Sequence, residues 1–214
     1  MSINLPHVLV PAVPLDWDAA NPAHWHEDAI LLPPFTLADG SRLATQATMT
    51  RICYHTQALF VRFDCEDSDI WGTCTERDDA LYDEEVVEVF LSAGAATPVN
   101  YYEFEVSPNS VLLDLTVCNP TGDRAEMTTD FAWNCPGLHW QAGRDDANHH
   151  WWATLTIPWV SVGATGDLPR VWRANFYRIE RPRAAEPEFS GWSPTLTTPA
   201  DFHKPAYFGI LELE

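Results

Sequence analysis

The residues of this chain that could form a binding or catalytic site are acidic residues in three neighbouring strand-like segments. Glu88 lies in VVEVFL (86–91), Glu103 and Glu105 lie in YYEFEV (101–106), and Asp114 lies in VLLDLTV (111–117). Residues two apart in a strand share a face, so burying the apolar residues between them turns all four carboxylates to the opposite face. Carboxylates that share a face raise one another's pKa unless a cation or hydroxyl donors meet them. This pattern favours a polar face that binds sugar hydroxyls or calcium, and a solvent-exposed acidic sheet is the alternative.

The segment 111–117 and Arg178 are also assigned to the predicted acidic face. In 111–117 the same reasoning places Leu113 and Leu115 in the core and Asp114 outside it. Arg178, in NFYRIERP (175–182), is a candidate counter-charge for the acidic face, although an ordinary surface arginine fits the same position.

The elements that must position these residues are short strands. Pro (17 residues) and Gly (10 residues) punctuate the chain, which leaves little room for helices. Between them lie eight alternating or β-branched segments, at 58–65, 86–91, 101–106, 111–117, 138–143, 151–157, 171–179 and 207–213. Short strands at this spacing predict an all-β fold, an antiparallel β-sandwich of the jelly-roll or immunoglobulin-like kind with little helix. We expect one helical turn in IPWVSVG (157–163) and a long loop over one sheet at 118–137.

Charge narrows the class of ligand. The formal net charge is −19, from 31 acidic and 12 basic residues. Such a surface repels nucleic acid and anionic membranes and suits neutral ligands such as sugars, or cations, although solubility alone would also explain it. The first residues lack the features of a signal peptide, no stretch is apolar enough to span a membrane, and the five cysteines show no CxxC spacing. We therefore expect a cytoplasmic protein with reduced thiols.

Other catalytic and metal-binding signals are weak. His24, His26, His149 and His150 lack the spacing of a zinc site, and no GxSxG, phosphate-loop or dinucleotide motif is present. Paired carboxylates such as Glu88 with Glu103 or Glu105 could serve a glycoside hydrolase, so that enzyme class stays open as an alternative.

Six motifs in a fixed order carry a family resemblance. They are YYEFEVSPNSVLLDL (101–115), FAWNCPGLHW (131–140), WWATLTIPW (151–159), WRANFYRIERP (172–182), EFSGWSPT (188–195) and DFHKPAYFGILEL (201–213). Together they resemble the family 9 carbohydrate-binding modules, and more narrowly the stand-alone family 9-like proteins. The resemblance covers residues 40–214 of one domain, after a lead-in of residues 1–39 in which HWHEDAI (24–30) is a possible first strand.

The resemblance implies a β-sandwich that binds a sugar without cleaving it. A sugar ring in this family lies between two aromatic side chains, which correspond here to Tyr82 and Trp192. The polar sheet residue of the family corresponds to Glu88, with Arg178 as the second polar contact. Tyr82 stands where the family usually has Trp.

Two further residues are expected beside this site. Trp71 lies close to it, and Glu105 stands where sugar-binding relatives tend to carry a basic residue on the next strand. The ligand implied is a neutral mono- or oligosaccharide bound at an end.

The resemblance leaves three matters open. No cofactor is required, but calcium is common in the family, and the acidic loops offer four candidate ligands, Asp67, Asp69, Asp78 and Asp79, without the spacing of an EF-hand. Such modules often accompany xylanases, so xylan is a possible ligand and a glycoside hydrolase remains the alternative class of protein. The same superfamily (DOMON-like) contains haem-binding domains with axial Met, His or Lys, for which Met49 and Met127 are the internal methionines.

Overall fold

The computed structural model describes residues 4–164 and 166–214 of the chain. Its regular elements are almost all strands. One α-helix (α1, Pro22–Glu27) and five short 3-10 turns (Leu81–Asp83, Arg124–Glu126, Asp146–Asn148, Trp159–Val162 and Pro205–Tyr207) accompany fourteen strands. In chain order the strands are β1 (His7–Val10), β2 (Ile30–Leu31), β3 (Thr36–Leu37), β4 (Thr48–His55), β5 (Ala58–Glu66), β6 (Val86–Ala93), β7 (Asn100–Val106), β8 (Leu112–Cys118), β9 (Thr128–Asp130), β10 (His139–Asp145), β11 (His150–Pro158), β12 (Val171–Glu180), β13 (Glu188–Gly191) and β14 (Gly209–Leu213).

The strands form two sheets. Sheet 1 has nine strands in the order β1-β14-β12-β6-β7-β8-β9, with β13 beside β12 and β3 beside β13. Sheet 2 has five strands in the order β10-β11-β5-β4-β2. Every pair is antiparallel except β1 with β14, which is parallel. The predicted antiparallel β-sandwich with little helix is confirmed, and all eight predicted segments contain a strand.

The main core lies between the two sheets. Aromatic and aliphatic side chains of both inner faces are fully buried there, including Phe63 and Trp151 of sheet 2 and Phe104, Trp172 and Phe176 of sheet 1. Alternation along β11 explains the arrangement, because every second residue of that strand is buried and those between are half-buried.

The outer faces of both sheets are also covered in part. On sheet 2, Trp25 of α1 is fully buried and packs with Cys53 and Phe60. On sheet 1, Phe90, Tyr101 and other apolar side chains form a second apolar cluster with residues of the segment 197–208. The part of the outer face of sheet 1 beneath this cluster is therefore buried rather than solvated.

The structure has a helix where the sequence suggested a possible first strand. The segment HWHEDAI (24–30) was a possible first strand, but residues 22–27 form α1, with Asn21 as the N-cap that accepts a hydrogen bond from the Ala23 N–H (3.1 Å). The first strand of the structure is β1, and residues of the lead-in 1–39 contribute β1, β2 and β3 to the two sheets.

Candidate functional site

Three glutamates meet on the outer face of sheet 1. Glu88 of β6 lies directly opposite Glu105 of β7, and Glu103 lies two residues earlier on β7. Residues paired across antiparallel strands point to the same side, so the register alone brings the three side chains together. One oxygen of each carboxyl lies within 4.8 Å of the others. We call these three residues the carboxylate triad.

The triad is almost completely withdrawn from water. Glu88, Glu103 and Glu105 are 2%, 4% and 1% exposed. Burial raises the pKa of Glu88 and Glu105 well above the ordinary value, and the negative charge of the neighbouring glutamates adds to this effect. Burial also raises the pKa of Glu103, to about 7. The triad is therefore a group of carboxyls that resist full ionisation when no cation is near.

No basic side chain neutralises the triad within the part of the chain that the structure describes. Arg124 acts against the effect of burial and lowers the pKa of Glu88 and Glu103, but it forms no ion pair with either of them. The basic group that does lie close to the triad is His203, whose Nδ1 is 4.0 Å from Glu103 Oε2. Burial, with help from Arg124, lowers the pKa of His203 to about 4, so its ring is neutral near pH 7. The His203 Nδ1 atom lies within hydrogen-bond distance of the Tyr101 hydroxyl, at 2.9 Å.

A cavity of about 750 Å³ opens above the triad. Its lining combines the three glutamates with residues of other strands and of the surrounding loops, among them Tyr82, Arg124, Met127, Thr129, Phe131, Arg181, Phe189 and the segment 197–204. Two aromatic rings of this lining are accessible, because Tyr82 is 39% and Phe131 is 43% exposed. The cavity thus offers exposed aromatic surface beside a buried, acidic floor.

One stacked pair of rings holds the loop that forms a wall of this cavity. Tyr177 of β12 lies opposite Glu88 and stacks on Phe202 with ring centroids 4.1 Å apart and planes 10° apart. The Tyr177 hydroxyl donates to the Phe202 carbonyl oxygen (3.1 Å), and Asn119 Nδ2 donates to the His203 carbonyl oxygen (3.1 Å). The segment 197–204 is therefore fixed to the sheet from two sides.

Asp114 does not join the triad, which corrects the sequence hypothesis. Asp114 lies opposite Phe104, so it points toward the space between the sheets, whereas Leu113 and Leu115 share the face of the triad. Its carboxylate accepts hydrogen bonds from Arg77 and from the Cys135 N–H. Both faces of β8 are buried, so the alternation of apolar residues could not indicate which face is which.

Arg178 is likewise on the other side of sheet 1. It pairs with Val87 rather than with Glu88, and its side chain lies between the sheets, 1% exposed. There Arg178 Nη2 donates to Asp67 Oδ2 at 3.0 Å, and Nη1 donates to the Glu66 carbonyl oxygen at 2.7 Å. Contrary to the expectation from the sequence, Arg178 therefore does not line the cavity that contains Glu88.

The two expected tryptophans also lie outside the cavity lining. Trp192 is 5% exposed and packs in the core against Phe176, with ring centroids 5.8 Å apart. Gly209 touches the Trp192 indole so closely that any side chain there would collide with it. Trp71 is half-buried and donates its indole N–H to the Arg181 carbonyl oxygen. Of the expected ligand-binding residues, Tyr82, Glu88 and Glu105 line one cavity, and Trp192, Arg178 and Trp71 do not.

The four aspartates expected as calcium ligands are not gathered into one site. Asp67 binds Arg178, and Asp69 binds Arg183. Asp78 lies 3.9 Å from Arg77, and Asp79 accepts the N–H groups of two residues in its own loop. Among the residues that the structure describes, the carboxylate triad is the group whose oxygens lie close enough to share an ion.

The histidines and methionines of the sequence analysis are also dispersed. His24 and His26 lie in α1, whereas His149 and His150 lie at the start of β11. Met49 is exposed on β4 of sheet 2, while Met127 lines the cavity on sheet 1, so the two methionines are not brought together. No helix in residues 4–164 and 166–214 has the length and apolar character needed to cross a membrane.

Several cavity residues were not identified from the sequence. The sequence places Glu103 on the acidic face but not in the binding site, and it does not assign Arg124, Met127 or Phe131 of the segment 118–137 to a sugar site. The signal that could have found them is that this loop is long, aromatic at Phe131, and adjoins the acidic strands.

Comparisons with known proteins agree with this architecture. The model of carbohydrate-binding family 9 matches residues 44–213, so the chain belongs to that family. A relative from Arthroderma benhamiae, named an extracellular protein, is 28% identical over 170 residues, which cover 75% of this chain and 76% of that protein.

Solved structures share the fold at low identity. A protein from Bacteroides uniformis proposed to bind carbohydrate is 18% identical, with a TM-score of 0.77 over 98% of this chain and 99% of that chain. A family 9 module from Caldicellulosiruptor kristjanssonii in complex with glucose is 13% identical, with a TM-score of 0.63 over 97% of this chain and 95% of that chain. The complex of a family 9 module from that organism with cellotriose has a TM-score of 0.61 at 12% identity, over 99% of this chain and 94% of that chain.

Proposed function

We propose that this chain is a non-catalytic carbohydrate-binding module that binds a neutral mono- or oligosaccharide in the cavity above the carboxylate triad. The observation that carries the proposal is the pairing of two exposed rings, Tyr82 and Phe131, with a buried acidic floor in one cavity of about 750 Å³. Ligand pockets commonly have volumes of about 300–1,000 Å³. Membership of carbohydrate-binding family 9 supports the same class of ligand, as do the glucose and cellotriose complexes of its structural relatives.

The chemistry of a sugar suits this cavity. A pyranose has an apolar face of C–H groups and a rim of hydroxyls, so an aromatic ring can cover the face while carboxyl oxygens accept from the rim. Covering the apolar face of the sugar with a ring is favourable because it removes apolar surface from water, at about 25 cal/mol per Å². A hydrogen bond from a sugar hydroxyl contributes about 0.5–1.5 kcal/mol to a neutral carboxyl and about 1.5–3 kcal/mol to an ionised one.

The arrangement differs from the one expected on the basis of sequence. Trp192 lies in the core, so Phe131 replaces it in the proposal as the second exposed ring beside Tyr82. Glu88 keeps the proposed role of hydroxyl acceptor, with Glu103 and Glu105 next to it.

Calorimetric titration tests the proposal. Glucose, cellotriose and xylo-oligosaccharides are titrated into the parent chain and into Tyr82→Ala, Phe131→Ala and the control Tyr207→Ala, a half-buried ring outside the cavity. We expect the first two variants to bind at least about tenfold more weakly, which corresponds to about 1.4 kcal/mol, and the control to bind like the parent. Equal binding by all three variants, with unchanged melting temperatures, would place the site elsewhere.

The same samples separate a module from a glycoside hydrolase. Retaining hydrolases hold their two carboxyl groups about 5–5.5 Å apart, and the triad oxygens lie within 4.8 Å of one another. Incubation with the oligosaccharides should produce no new reducing ends. Release of reducing ends that Glu88→Gln abolishes would contradict the proposal and favour the enzyme. The expected cytoplasmic location stays a prediction.

A further inference from the structure

A second cavity, of about 550 Å³, opens at the β9 end of sheet 1, and we call it the edge cavity. Tyr102 of β7, Thr116 of β8 and Asp130 of β9 lie directly opposite one another in the register, so their side chains point to one side of the sheet. That side is the inner one, because Tyr102 packs against the main core. The edge cavity and the cavity above the carboxylate triad therefore lie on opposite faces of the same strands.

The turn after β11 bounds the edge cavity from the side of sheet 2. Val162 is the last residue of the 3-10 turn Trp159–Val162, and it lines the cavity together with Gly163. Gly163 faces the Tyr102 ring, because a side-chain carbon at this glycine would lie 3.6 Å from the Tyr102 hydroxyl oxygen. The edge cavity thus lies between the two layers, in a space that apolar side chains usually fill in a β-sandwich.

The inner positions of sheet 1 become polar at this edge. Near the middle of the sheet they hold Phe104 and Phe176, which are fully buried in the main core. At the edge they hold Thr116, Thr128 and Asp130. Hydroxyl and carboxyl groups lose free energy in a dry core unless they find partners, so this set favours a space filled by water or by a ligand that forms hydrogen bonds.

These polar side chains are accessible from outside. Thr128 and Asp130 are exposed, while Tyr102 and Thr116 are half-buried. β9 is the last strand of sheet 1 and has three residues, and among the described strands it pairs with β8 alone. A small ligand can therefore enter over this edge without displacing a strand.

The lining suits a small neutral molecule with several hydroxyl groups. Tyr102 provides an aromatic ring, which Trp133 supports with ring centroids 5.1 Å apart. Among the described lining residues there is no Lys or Arg, so an anion would meet no counter-charge. Ligand pockets are mostly apolar with a few placed polar groups, and a sugar matches that combination with an apolar face and a rim of hydroxyls. The polar groups are the hydroxyls of Ser92, Thr116 and Thr128, the amide of Asn100 and the carboxyl of Asp130.

We propose that the edge cavity is a second carbohydrate site, separate from the one above the carboxylate triad. The inference rests on the proposed class of ligand and adds a second place that binds it. The Tyr102 ring would cover the apolar face of a sugar, and Thr116 and Asp130 would exchange hydrogen bonds with its hydroxyls. β9 separates the two cavities, and Thr129 of that strand lines both. A chain with two such sites can hold a branched or polymeric glycan more tightly than either site does alone.

The test follows the backbone amide signals of the isotope-labelled full chain by NMR while glucose is added. We expect two groups of shifts with separate dissociation constants, one around Glu88 and Glu105 and one around Thr116 and Gly163. The second constant should be about 1–10 mM, because one ring and a few neutral hydrogen bonds hold the sugar. Cyclohexanol, which has a ring but one hydroxyl, should bind the edge cavity at least about tenfold more weakly than glucose.

Variants assign the second group of shifts to the edge cavity. Thr128→Trp places a large ring in the cavity from an exposed position, so it should abolish the shifts at Gly163 and leave those at Glu88. Thr116→Val removes one hydroxyl at a similar shape and should raise the second dissociation constant about two- to tenfold. The matched control is Thr156→Val, which removes a strand hydroxyl on the outer face of sheet 2 and should change neither group.

Four results would overturn the inference. The first is a set of shifts around the triad alone, which would leave the proposed function standing by itself. The second is shifts at Gly163 that Thr128→Trp and Thr116→Val both leave unchanged, or that disappear in Phe131→Ala, because the change would then be transmitted from elsewhere. The third is cyclohexanol binding as tight as that of glucose, which would make the cavity an apolar crevice. The fourth is the absence of all shifts, which would also contradict the proposed function. Shifts around Gly163 alone would support the second site and contradict the first.

Discussion

Replacing Arg178 by Met should strongly destabilise the fold, because this arginine is the counter-charge inside the sandwich. Arg178 is 1% exposed, and its guanidinium donates to Asp67 at 3.0 Å, with Glu85 Oε2 at 3.9 Å. Methionine fills a similar volume but leaves both buried carboxyls, each 0% exposed, without a positive charge.

The magnitude follows from the burial of the partners. Removing one member of a buried ion pair costs about 3–5 kcal/mol. The loss also frees the Glu66 carbonyl oxygen, which now accepts from Arg178 at 2.7 Å, although Asp67 keeps its bond from Trp151 Nε1 at 3.2 Å. Domains are typically stable by about 5–15 kcal/mol, so the variant should lose a large fraction of its free energy of unfolding.

Arg183→Met is the matched control. Arg183 also pairs with an aspartate, Asp69, but its side chain is 66% exposed. Exposed pairs contribute about 0–1 kcal/mol, so the control should change the free energy of unfolding little.

The assay is equilibrium unfolding in urea, followed by tryptophan fluorescence for the parent and both variants. If the two variants shift the urea midpoint equally, the argument that burial makes the Arg178 ion pair more important for stability than the Arg183 pair is refuted. An Arg178→Met variant of parental stability that no longer binds sugar would show that the side chain contacts the ligand after all.

Three further predictions concern the core, the buried acids and the thiols. Trp192→Ala should lower the free energy of unfolding by about 3–5 kcal/mol in urea titrations, and parental stability would contradict its place in the core. In chelator, stability should fall as the pH rises from about 5 to 9, because burial and the neighbouring negative charge raise the pKa of Glu85 from 4.5 to about 9. Between these pH values the folded chain holds more protons than the unfolded chain, so stability falls as the pH rises. Thermal melts should therefore show a melting temperature that depends less on pH for Glu85→Gln than for the parent. A melting temperature of the parent that rises with pH would contradict this. Burial raises the thiol pKa of Cys53 and Cys65 to about 12. Mass spectrometry after brief alkylation should therefore find the half-buried Cys74 and Cys118 modified before these two, and equal rates would be inconsistent with the structure.

Strand positions could be predicted from the sequence because alternation and turn residues are local signals. All eight predicted segments contain strands, and the pairing of Glu88 with Glu105 follows once β6 and β7 are neighbours. Which face of β8 points to the main core could not be predicted, because Leu112 and Leu113 are both buried, one on each face of the strand.

Errors at the candidate site have a different physical origin. A tryptophan in a loop before the last strand could stack on a ligand or fill the core. Its burial and its contacts with Phe176 and Gly209 show that Trp192 does the second. Similarly, Tyr177 and Arg178 are neighbours in sequence but lie on opposite faces of sheet 1, so an error of one residue moves a charge from the cavity to the interior.

The parallel pairing of β1 with β14 determines how the fold would respond to force. Residues His7–Val10 lie beside Ile210–Leu213 and run in the same direction. A pull on the two ends of the chain would drag these strands past each other along their axes, so the bonds from the Ile210 N–H to Pro6 (2.9 Å) and from the Glu214 N–H to Val10 (3.2 Å) would bear the load together. An antiparallel pair at this edge would instead open one bond at a time. The β1–β14 pair should therefore resist a pull on the chain ends in shear. Single-molecule pulling should give a higher rupture force for the parent than for a chain that lacks residues 1–10.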